Sequence, residues 1–169
     1  ILKNWLQRSI VAWYLTREQA HLDRAKRVLD LACENSHWQP KPGAFGLRGA
    51  NLATGELLYM TAFGLDALRP YLDEARRTRC VAAIRDKGLA GYLSGIEARD
   101  WWYRCDFNWN SAVHANAGTA ALAIRDEEPE LARRVLEEAC RGLGYLLPSF
   151  HPDGGYTEGC MYCDTAIGH

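Results

Sequence analysis

The stretch SAVHANAGTAALAI, residues 111–124, decides the fold of this chain. Almost all of its side chains are small, and small side chains let a neighbouring helix approach closely or leave room beside a cavity. We predict a helix over roughly residues 109–124. Neither side of this stretch shows the alternation of apolar and polar residues that is typical of a strand. The sequence therefore predicts an all-α fold.

Apolar residues recur at helical spacing through most of the remaining chain. The predicted helices on either side of 109–124 cover residues 1–14, 16–32, 50–68, 73–94 and 129–147, and residues 161–169 resemble the first turns of another. Thr16 and Gln19 have the spacing of a capping box at the start of the second helix. Pro70 separates the third helix from the fourth, because proline cannot continue a regular helix.

The connections between the predicted helices alternate in length. Short turns join the first helix to the second and the fifth to the sixth, whereas longer loops join one pair to the next. This pattern is typical of antiparallel helical hairpins stacked side by side, as in an α-solenoid or a closed (α/α) toroid. Because no fixed repeat length is visible, we expect an incomplete (α/α) toroid rather than a regular repeat protein.

The length and the start of the chain indicate how many domains it contains. Its 169 residues predict one domain or part of a larger one. The chain begins without Met and within a helical pattern, which predicts that residues 1–169 are a single toroid segment of a longer protein. The start lacks the basic and apolar regions of a signal peptide. No apolar run approaches the roughly 18 residues of a membrane span, so we expect a soluble segment, cytoplasmic or periplasmic.

The composition narrows the range of partners. The formal net charge is −1, with 48% hydrophobic and 24% charged residues, which lies in the ordinary range for soluble domains. A chain this close to neutrality gives no electrostatic reason to expect nucleic acid or an anionic membrane as its partner. We therefore expect no nucleic acid and no membrane among its partners.

Six cysteines are spread along the chain. Cys33, Cys80 and Cys140 lie within helical patterns, where a reduced cysteine acts as a small buried hydrophobe. Cys160 and Cys163 have C-x-x-C spacing, yet no second pair stands at a zinc-binding distance, and no βαβ setting supports a thioredoxin-like role. We expect free thiols, no metal site and no cofactor.

The stretch DWWYRCDFNWN, residues 100–110, places five aromatic rings among polar side chains. Aromatic residues are usually core residues, but three of the six Trp residues of the chain fall within nine positions here. Aromatic faces stack on sugars, and Arg and Asn side chains bind hydroxyl and carboxylate groups. The stretch thus predicts a carbohydrate-binding cleft, with Trp101, Trp102, Arg104, Trp109 and Asn110 as candidate contacts.

Three polar residues lie at the start of the small-residue helix. Asn110 and His114 are spaced i, i+4 and share one face, whereas Asn108 lies about 160° around the helix from Asn110. Asn108 can face a cleft if it occupies the N-cap position, where a side chain leaves the helical path. His114 is either a site residue or a hydrogen-bonded core histidine, and the second interpretation is the commoner one for such a position.

The loop FHPDGGYTEGCMYC, residues 150–163, combines turn residues with acidic and tyrosine side chains. Together with DFNWNSAVHAN, residues 106–116, it resembles the heparinase II/III-like polysaccharide lyases and their alginate-lyase relatives. That family shows an Asn-rich motif that opens a small-residue helix, followed later by Pro-Asp-Gly-x-x-x-Glu-Gly-x-x-Tyr. The second motif is matched here at Pro152, Asp153, Gly154, Glu158, Gly159 and Tyr162. In the first motif, Phe107 replaces an Asn.

The resemblance implies an (α/α) toroid followed by a β-sandwich, and cleavage of uronic-acid polysaccharides by β-elimination. It implies that Tyr162 is the general base and acid, and that Asn108 or His114 neutralises the uronate carboxylate. Glu158 is expected to anchor its loop and is also a candidate substrate contact. The β-sandwich and a further catalytic His would lie beyond residue 169. The implied partner is an acidic polysaccharide or oligosaccharide, without a cofactor.

Three alternatives stay open at this point. A toroidal glycoside hydrolase would use paired carboxylates, such as Asp153 and Glu158, on either side of the sugar. A non-catalytic helical domain would bind glycan without changing it, and a helical-repeat scaffold would bind a peptide on a concave face. The products distinguish these classes. A lyase generates an unsaturated uronate that absorbs ultraviolet light, a hydrolase takes up water, and a binding domain leaves the glycan intact.

Overall fold

A computed structural model describes residues 2–41 and 43–167, which form helices and connecting loops without a β-strand. The α-helices are α1 (Leu2–Thr16), α2 (Gln19–Glu34), α3 (Leu52–Leu68), α4 (Glu74–Ala82), α5 (Ala90–Glu97), α6 (Asn108–Ala123), α7 (Pro129–Leu143) and α8 (Cys160–Ile167). The predicted all-α class is confirmed. Residue 1 of the first predicted helix and residues 168 and 169 of the last lie outside the described residues.

The small-residue helix α6 packs against both α3 and α7. Gly55 of α3 approaches α6 so closely that a Cβ at this position would lie 2.4 Å from the carbonyl oxygen of Ala112. Ala117, Ala120 and Ala121 of α6 have no exposed surface. Small side chains thus permit the close helix approach that the sequence predicts, and they place α6 at the centre of the site described below.

The helices pack in sequence-adjacent pairs. α1 contacts α2 across the short connection 17–18, and α6 contacts α7 across residues 124–128. The first pair packs on α3, and Leu6, Leu29 and Leu65 from these three helices are fully buried in one apolar core. A fully buried leucine contributes about 1.5–3 kcal/mol relative to an exposed one, so these contacts hold the first pair of helices on α3.

The predicted capping box at the start of α2 is wrong. Thr16 is the last residue of α1, and Glu18 precedes α2 without a side-chain cap hydrogen bond. Arg17 makes the turn between the helices with a left-handed φ of 59°, and the Thr16 hydroxyl donates back to a carbonyl of α1. A capping box occurs instead at the start of α3, where Asn51 and Thr54 bond reciprocally.

Two predicted helix boundaries also differ from the structure. The predicted helix 73–94 is one helical path in which a π-helical segment, Ala83–Leu89, joins α4 to α5, and it continues to Glu97. The predicted helix 129–147 ends at Leu143, since Gly144 and Pro148 both disfavour its continuation. Within the described ranges, no helix is long and apolar enough to cross a membrane.

Candidate functional site

Four aromatic side chains form a surface cluster at the start of α6, which we call the aromatic platform: Phe45, Trp101, Phe107 and Trp109. Trp101 is stacked against Phe107 at 5.8 Å between ring centroids and lies 4.8 Å from the Trp109 ring. The Phe45 ring meets Trp109 edge-on at 6.1 Å. Trp101 and Phe45 are exposed, and the other two are half-buried. The platform therefore offers aromatic faces to a ligand.

Phe45 is the member of the platform that sequence analysis missed. It adopts a left-handed φ of 55°, which is rare for a bulky residue, and its side chain is 72% exposed. The Trp101 indole N–H donates to the Phe45 carbonyl at 3.2 Å and holds this turn against the platform. Strained backbone of this kind is concentrated at functional sites. The sequence feature that could have indicated Phe45 is the position of an aromatic residue between the turn-forming residues Gly43 and Gly46.

The carboxylate of Asp100 binds the loop 43–49, which carries Phe45 and which we call the Phe45 loop, to the platform. It is buried and accepts hydrogen bonds from the backbone N–H groups of Arg48, at 3.0 and 3.1 Å, and Gly49, at 2.8 Å. Hydrogen bonds to charged groups contribute about 1.5–3 kcal/mol each. Because Asp100 directly precedes Trp101, these bonds set the position of the loop relative to the platform.

Asn108 lies beside the platform at the first position of α6. Phe107, not Asn108, is the N-cap residue, so the condition that would turn the Asn108 side chain off the helical path is not met. Asn108 is only 7% exposed, yet no described residue forms a hydrogen bond with its side-chain amide. Its amide atoms are not among the fully buried polar atoms that lack a partner, so they reach the surface. The amide is therefore available to a ligand that reaches the start of α6.

Glu158 binds the amino terminus of α6. Its Oε2 atom accepts a hydrogen bond from the backbone N–H of Asn108 at 2.7 Å and another from the Tyr156 hydroxyl at 2.7 Å. A carboxylate at this position is stabilised by the helix dipole. Glu158 therefore anchors its loop, as the sequence predicts. Its carboxylate also occupies the first backbone N–H of α6, so this N–H is not available to a ligand.

The remainder of the 150–163 loop is held by local contacts. Tyr156 is buried and stacks on Phe150 with 4.7 Å between ring centroids. Burial and the hydrogen bond to Glu158 raise the pKa of Tyr156 above its ordinary value. Gly154 and Gly159 both have a φ of 85°, a conformation that glycine adopts without strain. These contacts define the path of the chain into α8.

Tyr162 lies in the first turn of α8, which packs against α6. It is 47% exposed, and its hydroxyl has no hydrogen-bond partner among the described residues. It follows Glu158 by four positions, so the two Cα atoms are at most about 14 Å apart. The Glu158 anchor therefore keeps a free phenol on the side of the molecule that carries the start of α6.

His114 is a core histidine in this structure. It has no exposed surface, its Nδ1 atom lies 2.7 Å from the Tyr92 hydroxyl, and its Nε2 atom lies 3.2 Å from the Tyr103 carbonyl. Burial lowers the pKa of His114 to about 4. At neutral pH the ring is thus uncharged and sealed within the fold. The interpretation of His114 as a hydrogen-bonded core residue fits this placement.

The titration of His114 should make the protein less stable in acid. The folded pKa lies below the unfolded value of about 6.5, so the unfolded state binds the proton first, and stability is lost as the pH falls from about 6.5 to 4. The shift corresponds to about 3 kcal/mol. Urea unfolding across this pH range should show the loss, and His114→Gln should remove most of it. If the free energy of unfolding of this variant still falls as steeply with decreasing pH, the loss of stability is due to groups other than His114.

Two further candidate contacts are also buried. Asn110 has no exposed surface and donates to the carbonyl groups of Gly142 at 3.0 Å and Tyr103 at 3.3 Å, so it joins α6 to α7. Trp102 has no exposed surface and stacks on Tyr92 at 5.6 Å. Neither side chain presents a face to a ligand. The expectation that Asn110, Trp102 and the fully buried His114 contact substrate does not fit this arrangement.

Arg104 and Trp101 both line a groove of about 400 Å³. The groove is also lined by Arg99, Arg141 and Glu138. The Arg104 guanidinium stands 5.5 Å from the centre of the Tyr145 ring, whereas Arg141 is paired with Glu138. The groove thus carries an excess of positive charge next to the exposed indole of Trp101.

Comparisons with known proteins do not extend this description. No protein-family model matches the chain, and no curated protein matches its sequence. In the part of the chain that the structure describes, no three His, Cys, Asp or Glu side chains are grouped closely enough to hold a metal ion. The residues around α6 therefore carry the functional argument by themselves.

Proposed function

We propose that this chain is the helical part of a polysaccharide lyase that cleaves uronic-acid-containing glycans by β-elimination, and that its helix pairs belong to an (α/α) toroid. One observation carries the proposal. The side-chain amide of Asn108 forms no hydrogen bond with a described residue and lies at the start of α6, beside an exposed aromatic platform. The match of the 152–162 segment to the lyase motif gives these residues their roles.

The platform supports the assignment to a glycan substrate. The apolar face of a pyranose ring stacks on an aromatic ring, and the exposed faces of Trp101 and Phe45 are available for this contact. Trp109 lies between them and fixes their spacing through its contacts with both rings. The platform thus binds the sugar chain, and the polar groups beside it favour a chain that carries carboxylate groups.

Asn108 acts on the carboxylate of the uronate. The proton on the carbon next to an ionised carboxylate is very weakly acidic, because its removal adds negative charge to an anion. A hydrogen bond from the Asn108 amide to a carboxylate oxygen stabilises that charge as it develops. The amide needs no reorganisation to do so, since no described residue competes for it.

Tyr162 moves the proton. As phenolate it removes the proton next to the carboxylate, and as phenol it returns a proton to the glycosidic oxygen when the bond to the neighbouring carbon breaks. One residue therefore serves as base and acid, and the product carries a carbon–carbon double bond. The exposure of Tyr162 and its unpartnered hydroxyl support this role.

Arg104 supports binding of a second acidic sugar. The groove that it lines adjoins Trp101 and carries three guanidinium groups against two carboxylates, those of Asp100 and Glu138. Asp100 is buried and fully engaged by backbone N–H groups. A polymer stacked on the platform would therefore bring its next carboxylate to a positive surface. A charge-assisted bond to Arg104 suits this contact.

The glycoside hydrolase alternative finds less support in the geometry. It needs two carboxylates that face the scissile bond, and Glu158 is engaged by the backbone of α6 and by the Tyr156 hydroxyl. Asp153 bonds to the backbone N–H of Gly155 within its own turn. Both carboxylates are thus used to shape the loop.

The reaction is tested by product absorbance. The complete protein, incubated with alginate, hyaluronan or heparin, should release fragments whose new double bond, conjugated with the carboxylate, absorbs ultraviolet light. A neutral glucan should give no signal because it has no carboxylate to activate the proton. Fragments without this absorbance would establish a hydrolase, and binding without fragments would establish a glycan-binding domain. Either result would overturn the proposal.

A further inference from the structure

Two buried thiols are in contact between α2 and α4. The Sγ atoms of Cys33 and Cys80 lie 3.6 Å apart, and the residues are 8% and 2% exposed. The other cysteines (Cys105, Cys140, Cys160 and Cys163) are half-buried or exposed and free. Neither the lyase proposal nor the packing of the core requires two sulfur atoms to face each other at this point.

Polar contacts on both sides hold the thiols in place. One turn before Cys33, Asp30 of α2 binds Arg76 and Arg79 of α4, each at 3.1 Å. After Cys33, the Lys87 ammonium donates to the carbonyl of Cys33 at 2.6 Å and to that of Asn35 at 3.1 Å. The two helices are thus joined on either side of the sulfur atoms, which prevents them from drifting apart.

We infer that Cys33 and Cys80 are an oxidisable pair that forms a disulfide between α2 and α4 when the protein meets hydrogen peroxide. The sulfur atoms need to approach from 3.6 Å to the about 2.05 Å of a disulfide. Each thiol is carried on a single Cβ atom, so rotation about the Cα–Cβ bonds changes the distance between the two sulfur atoms. A small, uncharged oxidant suits a pair with so little exposed surface.

Cys33 is the thiol that reacts first. The contact with the Cys80 thiol lowers the pKa of Cys33, and the Lys87 and Arg79 cations act in the same direction, whereas the same contact and burial raise the pKa of Cys80. The Cys33 thiolate attacks one peroxide oxygen and the O–O bond breaks, which yields a sulfenic acid and hydroxide that is protonated to water. Cys80 then attacks the Cys33 sulfur, loses its proton and displaces the second water. The two thiols give up two protons and two electrons, and the peroxide accepts both.

The disulfide would join the end of α2 to α4 across a long connection. A cross-link between residues 33 and 80 closes a long loop, and a long closed loop strongly restricts the conformations of the unfolded chain. We therefore expect oxidation to raise the melting temperature by roughly 5–10 °C, reversibly with a thiol reductant. The same bond would hold the start of the Phe45 loop, because that loop follows directly after α2.

Peptide mapping of the peroxide-treated protein tests the inference. Remaining thiols are alkylated in denaturant, and trypsin then releases Cys33 in residues 28–48, Cys80 in residues 80–85 and Cys140 in residues 135–141. We expect a linked pair of the first two peptides, two hydrogen atoms lighter than their sum, that separates on reduction. Alkylation of both Cys33 and Cys80, or linkage of either to another cysteine, would overturn the inference.

Variants separate the cross-link from general oxidation. Cys33→Ala should lose the linked peptide and the rise in melting temperature, whereas Cys140→Ala, at an exposed site on α7, should retain both. A rise in melting temperature that persists in Cys33→Ala would assign the stabilisation to another site and contradict the inference. If Cys33→Ala does not fold, the map of the unaltered protein still decides the question, because it needs no variant.

Discussion

Tyr162→Phe should lower the turnover of a uronate polysaccharide by roughly 10²–10⁴-fold in the complete protein, the range that positioned acid–base groups supply. Only the hydroxyl is lost, and that hydroxyl has no partner among the described residues. The melting temperature should therefore stay within about a degree of the unaltered protein, because surface substitutions change stability little. Steady-state kinetics and a thermal melt of the same preparation measure both effects.

Tyr145→Phe provides the matched control. Tyr145 is also exposed, and the centre of its ring lies 5.5 Å from the Arg104 guanidinium. Removal of its hydroxyl leaves the ring in place, so turnover should change by less than about threefold. Near-normal turnover in Tyr162→Phe would move the proton transfer to another residue. An equal loss in both variants would indicate a general disturbance of the groove.

The second large effect is expected at Asn108. Asn108→Ala should reduce turnover by roughly 10²–10³-fold, the loss seen when one donor to a developing negative charge is removed, with a smaller change in KM. Its fold should be retained, because the amide stabilises no described neighbour. His114→Ala serves as the comparison. It removes hydrogen bonds to Tyr92 and Tyr103 and leaves a cavity in the core, so we expect a loss of about 3 kcal/mol in stability.

The two variants decide which face of α6 meets the substrate. Turnover and urea unfolding are to be measured for both, at a temperature where His114→Ala is folded. The proposed mechanism requires Asn108→Ala to lose turnover and His114→Ala to lose stability. A folded but inactive His114→Ala protein beside an active Asn108→Ala protein would show that the substrate meets the opposite face.

The fold was predictable where local pattern decides it. The run of small residues in 111–124 predicts a closely packed central helix, and α6 has that environment because Gly55 and Ala112 bring two backbones together. The boundary at Thr16 was not predictable in the same way. A left-handed Arg17 ends α1 and leaves no capping position for the threonine, and a sequence pattern does not specify that backbone conformation.

The position of the aromatic platform was predictable from the stretch 100–110, whereas the exposure of its individual side chains was not. Trp101 and Trp102 are adjacent and chemically identical, yet one is 41% exposed and the other fully buried. A single 3-10 turn, Trp101–Arg104, sends their side chains in different directions. Glu158 binds the start of α6 from fifty residues along the chain, and such a long-range contact leaves no trace in the local sequence around Asn108.

Mass spectrometry of the products tests most directly whether the glycosidic bond is broken by β-elimination. An acidic tetrasaccharide is cleaved by the complete protein, and the masses of the two complementary fragments are added. β-Elimination adds nothing to the substrate, so the account predicts a sum equal to the mass of the tetrasaccharide, with a double bond in one fragment and almost no product from Tyr162→Phe. A sum that exceeds the substrate by one water molecule would establish hydrolysis and contradict the account.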